Sequence, residues 1–149
     1  MTSPVPTETV DALQRALAAE HAAIWAYGLA GAYLPAASDA ALTKGAEAHT
    51  VRRDAVTATL QKAGATPKPA EPGYSVPQPL TNASSAFVLL VAAETDVVSA
   101  WRSVLEYTAD AGIRKTALAA LTDGAVRAMT WRQSGGQTPA TPPLPGQPA

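Results

Sequence analysis

The stretch GATPKPAEPGYSVPQPL, Gly64 to Leu80, decides how the chain is organised. It holds Pro67, Pro69, Pro72, Pro77 and Pro79, and so many residues lacking an amide N–H cannot form a helix. On either side the sequence is rich in alanine and reads as helix. Two helices precede the stretch, over about Glu8–Leu34 and Asp39–Ala63. Two follow it, over about Asn82–Ala109 and Ile113–Gln133. Thr7, Ser38 and Thr81 stand where N-caps are wanted, and Pro35, Gly64 and Ser134-Gly135-Gly136 stand where helices should stop. Within each pair the link is a few residues, so the partners should be antiparallel neighbours. Extended at about 3.1 Å per residue, the proline segment reaches roughly 50 Å. A helix of about 22 residues is only about 33 Å long. The expectation is an all-α four-helix bundle: two helical hairpins joined by a long Pro-rich crossover at residues 64–80.

Residues 1–136 are expected to form this one domain. Residues 137–149, rich in Pro, Gly and Thr, read as a disordered tail. Hydrophobic residues make up 47% of the chain and the net charge is −1, with no basic excess to suggest nucleic acid. The absence of cysteine removes disulfides and thiolate chemistry. No uncharged apolar run of membrane-spanning length is evident, and Met1-Thr-Ser-Pro-Val-Pro does not read as a secretory signal, so a cytoplasmic location is the default.

The two halves align at an offset of 74 residues without a gap. Thr7 falls on Thr81, Leu13 on Phe87, Leu17 on Val91, Glu20 on Glu94, Tyr27 on Trp101, His49 on Asp123 and Arg53 on Arg127. In the first helix Leu13, Leu17, Glu20, Ile24, Tyr27, Gly31 and Leu34 follow the 4-3 spacing of a buried stripe, with a carboxylate at its centre. Phe87, Val91, Glu94, Val98, Trp101 and Leu105 repeat it in the third. Burying a lone carboxylate costs several kcal/mol, and two facing ones repel. Protons, Arg or His partners, or a metal must neutralise them. Leu42, His49, Arg53, Val56 and Leu60 share one face of the second helix, which directs His49 and Arg53 inward. The apolar side of the fourth helix centres on Leu118, Leu121, Ala125 and Met129, which leaves Asp123 and Arg127 to one flank. Gly28 and Gly31 would allow a close helix approach, and a homodimer through helix faces is expected.

Several of these segments carry a family resemblance. They are Ala19-Glu20-His21-Ala22-Ala23 with Tyr27, Ala48-His49-Thr50-Val51-Arg52-Arg53-Asp54, Glu94 with Trp101, and Val126-Arg127 with Trp131-Arg132. Over about residues 8 to 133 the chain resembles the ferritin-like superfamily, in detail a small actinobacterial ferritin-like domain family of unknown function. Di-iron members of that superfamily use one Glu from each of two helices and a Glu-x-x-His from each of the others. The resemblance therefore implies Glu20, His49, Glu94 and Asp123 as candidate ligands, enough for a single Fe, Mn or Zn ion. Ala46 and Ala120 stand where the chelating carboxylates should be, and Glu47 lies about 100° round the helix from Ala46.

Two functions compete. The first is a non-catalytic bundle without cofactor, its degenerate di-metal site replaced by a buried network of Glu20, His49, Arg53, Glu94 and Arg127. The alternative is a metal-binding oxidoreductase. A weaker third is a carrier of an apolar ligand in the room that small helix residues leave.

Overall fold

The computed structural model describes residues 4–147. Four α-helices of 24 residues each make up the fold: α1 Thr7–Ala30, α2 Asp39–Lys62, α3 Ala83–Glu106 and α4 Ala111–Ser134. A single 3₁₀ turn, Ala36–Ser38, precedes α2, and there is no β-strand among the described residues. The chain is a helical bundle.

Side-chain pairs give the directions. Thr9 reaches the Tyr107 carbonyl, Arg15 reaches Ser103, Trp101 reaches Glu20 and Tyr27 reaches Glu94, so α1 and α3 run antiparallel. His49 lies on Glu20, and Gly45 lies against the Tyr27 ring, so α2 is antiparallel to α1. Arg127 meets Glu94, and Trp131 packs on Phe87, so α4 is antiparallel to α3. The proline segment lies beside α1. Gln14 donates to the Thr66 carbonyl and accepts from the Lys68 amide, and His21 contacts the Lys68 carbonyl at 3.1 Å. Trp25 meets Tyr74 edge-on, with ring centroids 5.8 Å apart.

Helix ends follow local chemistry and correct some expected caps. Thr7 is the first helical residue of α1 and makes no capping bond; Pro6 holds the cap position. Ser38 precedes α2 but does not cap it through its side chain. The cap of α3 is Asn82, not Thr81: Asn82 Oδ1 accepts from the Ser85 amide at 3.0 Å, and Ser85 Oγ accepts from the Asn82 amide at 3.1 Å. Asp110 caps α4 by accepting from the Ile113 amide at 2.8 Å. α1 stops at Ala30, short of Leu34, where the chain turns toward α2.

Alanine lets the helices approach closely. Ala12, Ala16, Ala23, Ala117 and Ala120 are fully buried among Leu13, Leu17, Leu60, Val97 and Val104. One helix among the described residues, α3, is long and apolar enough to cross a membrane, with a mean hydropathy of 1.5 over its most apolar window. More than half of that window is buried inside the bundle, which is the burial a central core helix needs. Residues 137–147 contain no helix, and Pro148, Ala149 and Met1–Ser3 lie outside the described residues.

α4 corrects the expected facing. Its buried stripe is Ala117, Ala120, Gly124, Ala128 and Trp131, whereas Leu118 is 57% exposed. Along most of its length the neighbouring helices leave room only for small residues, and the large Trp131 enters at the end of the stripe.

The Asn82–Ser85 capping box satisfies two amides at the start of α3. Asn82→Ala is expected to cost about 1 kcal/mol in urea unfolding, and Thr81→Ala much less.

Candidate functional site

Glu20, His49 and Glu94 come from three helices and are all fully buried. His49 lies between the carboxylates. Its Nδ1 is 2.7 Å from Glu20 Oε2, and its Nε2 is 2.9 Å from Glu94 Oε1. An ionised carboxylate can only accept, so both ring nitrogens carry protons and the ring is an imidazolium. Arg127 Nε donates to Glu94 Oε1 at 3.0 Å. Two carboxylates, one imidazolium and one guanidinium sum to zero, so the interior holds four charged groups without net charge.

Aromatic donors complete the network. Trp101 Nε1 donates to Glu20 Oε1 at 2.6 Å, and the Tyr27 hydroxyl donates to Glu94 Oε1. Trp131 Nε1 in turn donates to the Tyr27 oxygen at 2.8 Å. An unbroken chain of hydrogen bonds thus joins Trp131, Tyr27, Glu94, His49, Glu20 and Trp101. Each helix of the α1/α3 pair sends the aromatic seven residues past its own Glu to the other helix's Glu.

Burial opposes the charge on His49, but the hydrogen bonds and charges of Glu20 and Glu94 outweigh it and hold the imidazole above its ordinary value. Glu94 is opposed by burial in the same way, yet His49, Arg127 and Tyr27 hold it below the usual carboxylate range. Burial, and then the Glu94 charge, push the Tyr27 phenol far up, so it stays a neutral donor.

Other residues named from sequence lie elsewhere. Arg53 turns away from the cluster to pair with Asp54 at 2.8 Å, its side chain 33% exposed. Asp123 is 57% exposed and bonds to Arg52. His21 lies at the boundary, on the proline segment. The cause is a one-residue offset. The α1/α3 match at 74 residues holds, with Glu20 and Glu94 equivalent. Leu42, Gly45, His49 and Val56 on α2, however, correspond to Ala117, Ala120, Gly124 and Trp131 on α4, an offset of 75. That step of about 100° carries Asp123 out, brings Gly124 in and makes Arg52 the counterpart of Arg127. The position that mirrors His49 is therefore a glycine. A Cβ there would come within 3.5 Å of Glu94 Oε2, a buried oxygen without a hydrogen-bond partner.

Gly45 was not legible as a site residue. A Cβ on it would lie 2.3 Å from Tyr27 Cε1 and 2.7 Å from the phenolic oxygen. Gly28, by contrast, has open space and Gly31 meets only backbone atoms of its own helix, so neither sits at a close helix approach within the chain.

No group of three or more His, Asp or Glu side chains among the described residues is placed to hold a metal ion. Ala46 is half-buried against the cluster around Tyr27, Leu42 and Trp131, Ala120 is fully buried, and Glu47 is exposed. The residues present do not fit a two-metal centre, because packing occupies the positions of its chelating carboxylates.

The profile of a family described as a domain of unknown function, DUF4439, matches residues 12–149. The chain belongs to the DUF4439 family. It is similar in structure to a conserved hypothetical protein, rv2844, from Mycobacterium tuberculosis. The two are 36% identical, with a TM-score of 0.84 over 86% of this chain and 97% of that one. No curated protein matches it.

Two predictions follow the geometry of this DUF4439 site. Gly45→Ala is expected to cost about 1–3 kcal/mol in chemical denaturation by displacing the Tyr27 ring. Gly28→Ala is expected to stabilise by about 0.4–1 kcal/mol, since it restricts only the unfolded chain. The second prediction concerns pH. His49 is raised from 6.5, so its contribution is full below about 6.5 and is lost as pH rises through the raised folded value. Glu94 is lowered from 4.5, so its contribution is full above about 4.5 and is lost as pH falls through the lowered value. Denaturation free energy against pH should therefore hold a plateau from about 4.5 to 6.5 and decline on the alkaline side. His49→Gln is expected to lower the plateau by about 3–5 kcal/mol and abolish that decline.

Proposed function

We propose that this chain is a non-catalytic ferritin-like bundle, a cytoplasmic scaffold or interaction domain, in which a protonated Glu–His–Glu–Arg network stands in place of a di-metal centre. In this reading α1–α2 and α3–α4 are the two hairpins, and the proline segment beside α1 is the long crossover that separates ferritin-like bundles from bundles with only short loops. The observation that carries the reading is the engagement of both His49 nitrogens by carboxylates. A histidine that ligates a metal must give up the proton on its ligating nitrogen. Here both protons are used to neutralise Glu20 and Glu94. Ala46, Ala120 and Gly124 support the same reading, because none can supply the donor that a two-metal site needs.

A second reading is favoured by one observation: Glu94 Oε2 is buried and unpartnered. In this reading Glu20, His49 and Glu94 would hold a single Fe, Mn or Zn ion after breaking their mutual hydrogen bonds, since as they stand they are not placed around one. Such an ion would supply Lewis-acid or redox chemistry, and its uptake would displace a proton from His49.

Elemental analysis separates the two. Protein purified without chelator and then equilibrated with Fe(II), Mn(II) or Zn(II) at pH 6 and pH 8 is expected to retain less than stoichiometric metal. One equivalent that is retained at pH 8 and lost in Glu94→Ala would overturn the non-catalytic reading. The same sample is expected to sediment as a homodimer; a monomer at every concentration would remove that part of the proposal.

A further inference from the structure

α4 is apolar on both sides, and the outer side is the bulkier one. The core takes its small residues, while Leu121, Ala125 and Met129 face a groove shared with Val98 of α3. The C-terminal segment crosses this groove. Pro142 and Pro145 line its outer wall and Gly146 its end. The seat of this roof is specific. Gly146 has φ +83°, and a Cβ on it would lie 3.0 Å from Arg102 Cδ and 3.3 Å from Val98 Cγ1. The positive φ favours glycine, and a side chain there would be strained and would crowd Arg102 and Val98. Beneath the roof lies a cavity of about 310 Å³. That is at the lower end of the roughly 300–1,000 Å³ of small-molecule sites.

Two features define what such a cavity would hold. Its wall is predominantly apolar, and contact with it would take an apolar chain out of water. The cation at its edge is Arg132. The guanidinium makes two long bonds to neutral acceptors, the Ala140 carbonyl at 3.4 Å and Thr95 Oγ1 at 3.3 Å. Among the described residues no carboxylate forms a salt bridge with it. An arginine beside an apolar wall, held by neutral oxygens alone, has capacity for a carboxylate.

We propose that this roofed groove binds a single-chain alkyl carboxylate, its chain among Val98, Leu121, Ala125 and Met129 and its acid group on Arg132. The volume admits one medium-length chain and is too small for a two-chain lipid. This site is separate from the Glu20–His49–Glu94 network and stands whether or not that network takes metal.

The sequence supplies a probe. There are two methionines, Met1 and Met129, and Met129 lines the cavity. With methyl-labelled methionine in the full-length protein, octanoate is expected to shift the Met129 resonance saturably. Octanol is expected to shift it more weakly. Arg132→Gln should weaken octanoate about tenfold, through loss of a charge-assisted hydrogen bond, and leave octanol unaltered. Ala125→Phe should remove both responses, with its far-ultraviolet circular dichroism unchanged as the check on folding. A Met129 resonance indifferent to octanoate in the wild-type protein overturns the proposal without recourse to any variant. Equal octanoate affinity in wild type and Arg132→Gln overturns the assignment of the acid group.

Discussion

His49 donates one proton to Glu20 and another to Glu94, and through those two bonds it ties α2 to α1 and α3 at once. Both carboxylates are fully buried, where an unpartnered charge is costly, and the ring gives each a donor. Other interior features follow from keeping that ring in place. Gly45 is bare so that Tyr27 can reach Glu94, Trp131 turns its indole N–H to the Tyr27 oxygen, and Trp101 takes the second oxygen of Glu20. The directional bonds fix the helices against sliding. An Ala-rich interior could not do this alone, because alanine faces look alike at successive turns.

That likeness also set the limit of what the sequence revealed. The proline segment and the two stripes centred on Glu20 and Glu94 were readable, because prolines and isolated charges in apolar runs leave strong marks. His49 was readable for the same reason. α4 was not. Until Trp131 at its end, its inward face is Ala117, Ala120, Gly124 and Ala128, residues with almost no hydrophobic weight, so periodicity pointed to Leu118, Leu121, Ala125 and Met129 instead. The gap-free offset of 74 then reinforced the error, placing Asp123 opposite His49 and Arg53 opposite Arg127. One residue of shift in the second helix of each half reverses both assignments. In an Ala-rich helix neither reading carries a penalty visible in sequence. Gly45 and the aromatic donors were hidden for a different reason. Their roles depend on contacts between helices, and single-helix patterns do not encode those.

Charge balance explains why only one arginine meets the buried carboxylates. With His49 as the imidazolium, Glu20 and Glu94 require one further positive charge, and Arg127 supplies it from α4. A second guanidinium on those two carboxylates would leave an excess charge in a low-dielectric cluster. Arg52 and Arg53 instead pair with Asp123 and Asp54, carboxylates that are 57% and 65% exposed, where water shares the cost.

Gly124 makes the two halves of the chain unequal. A bundle assembled from two copies of the first half would bring two histidines to two glutamates and could balance itself without arginine. One assembled from two copies of the second half would have arginines but no ring to bridge the helices, because the mirrored position carries no side chain. The internal symmetry is therefore one of shape and not of chemistry: the first half owns the clasp, and the second offers it something to close upon.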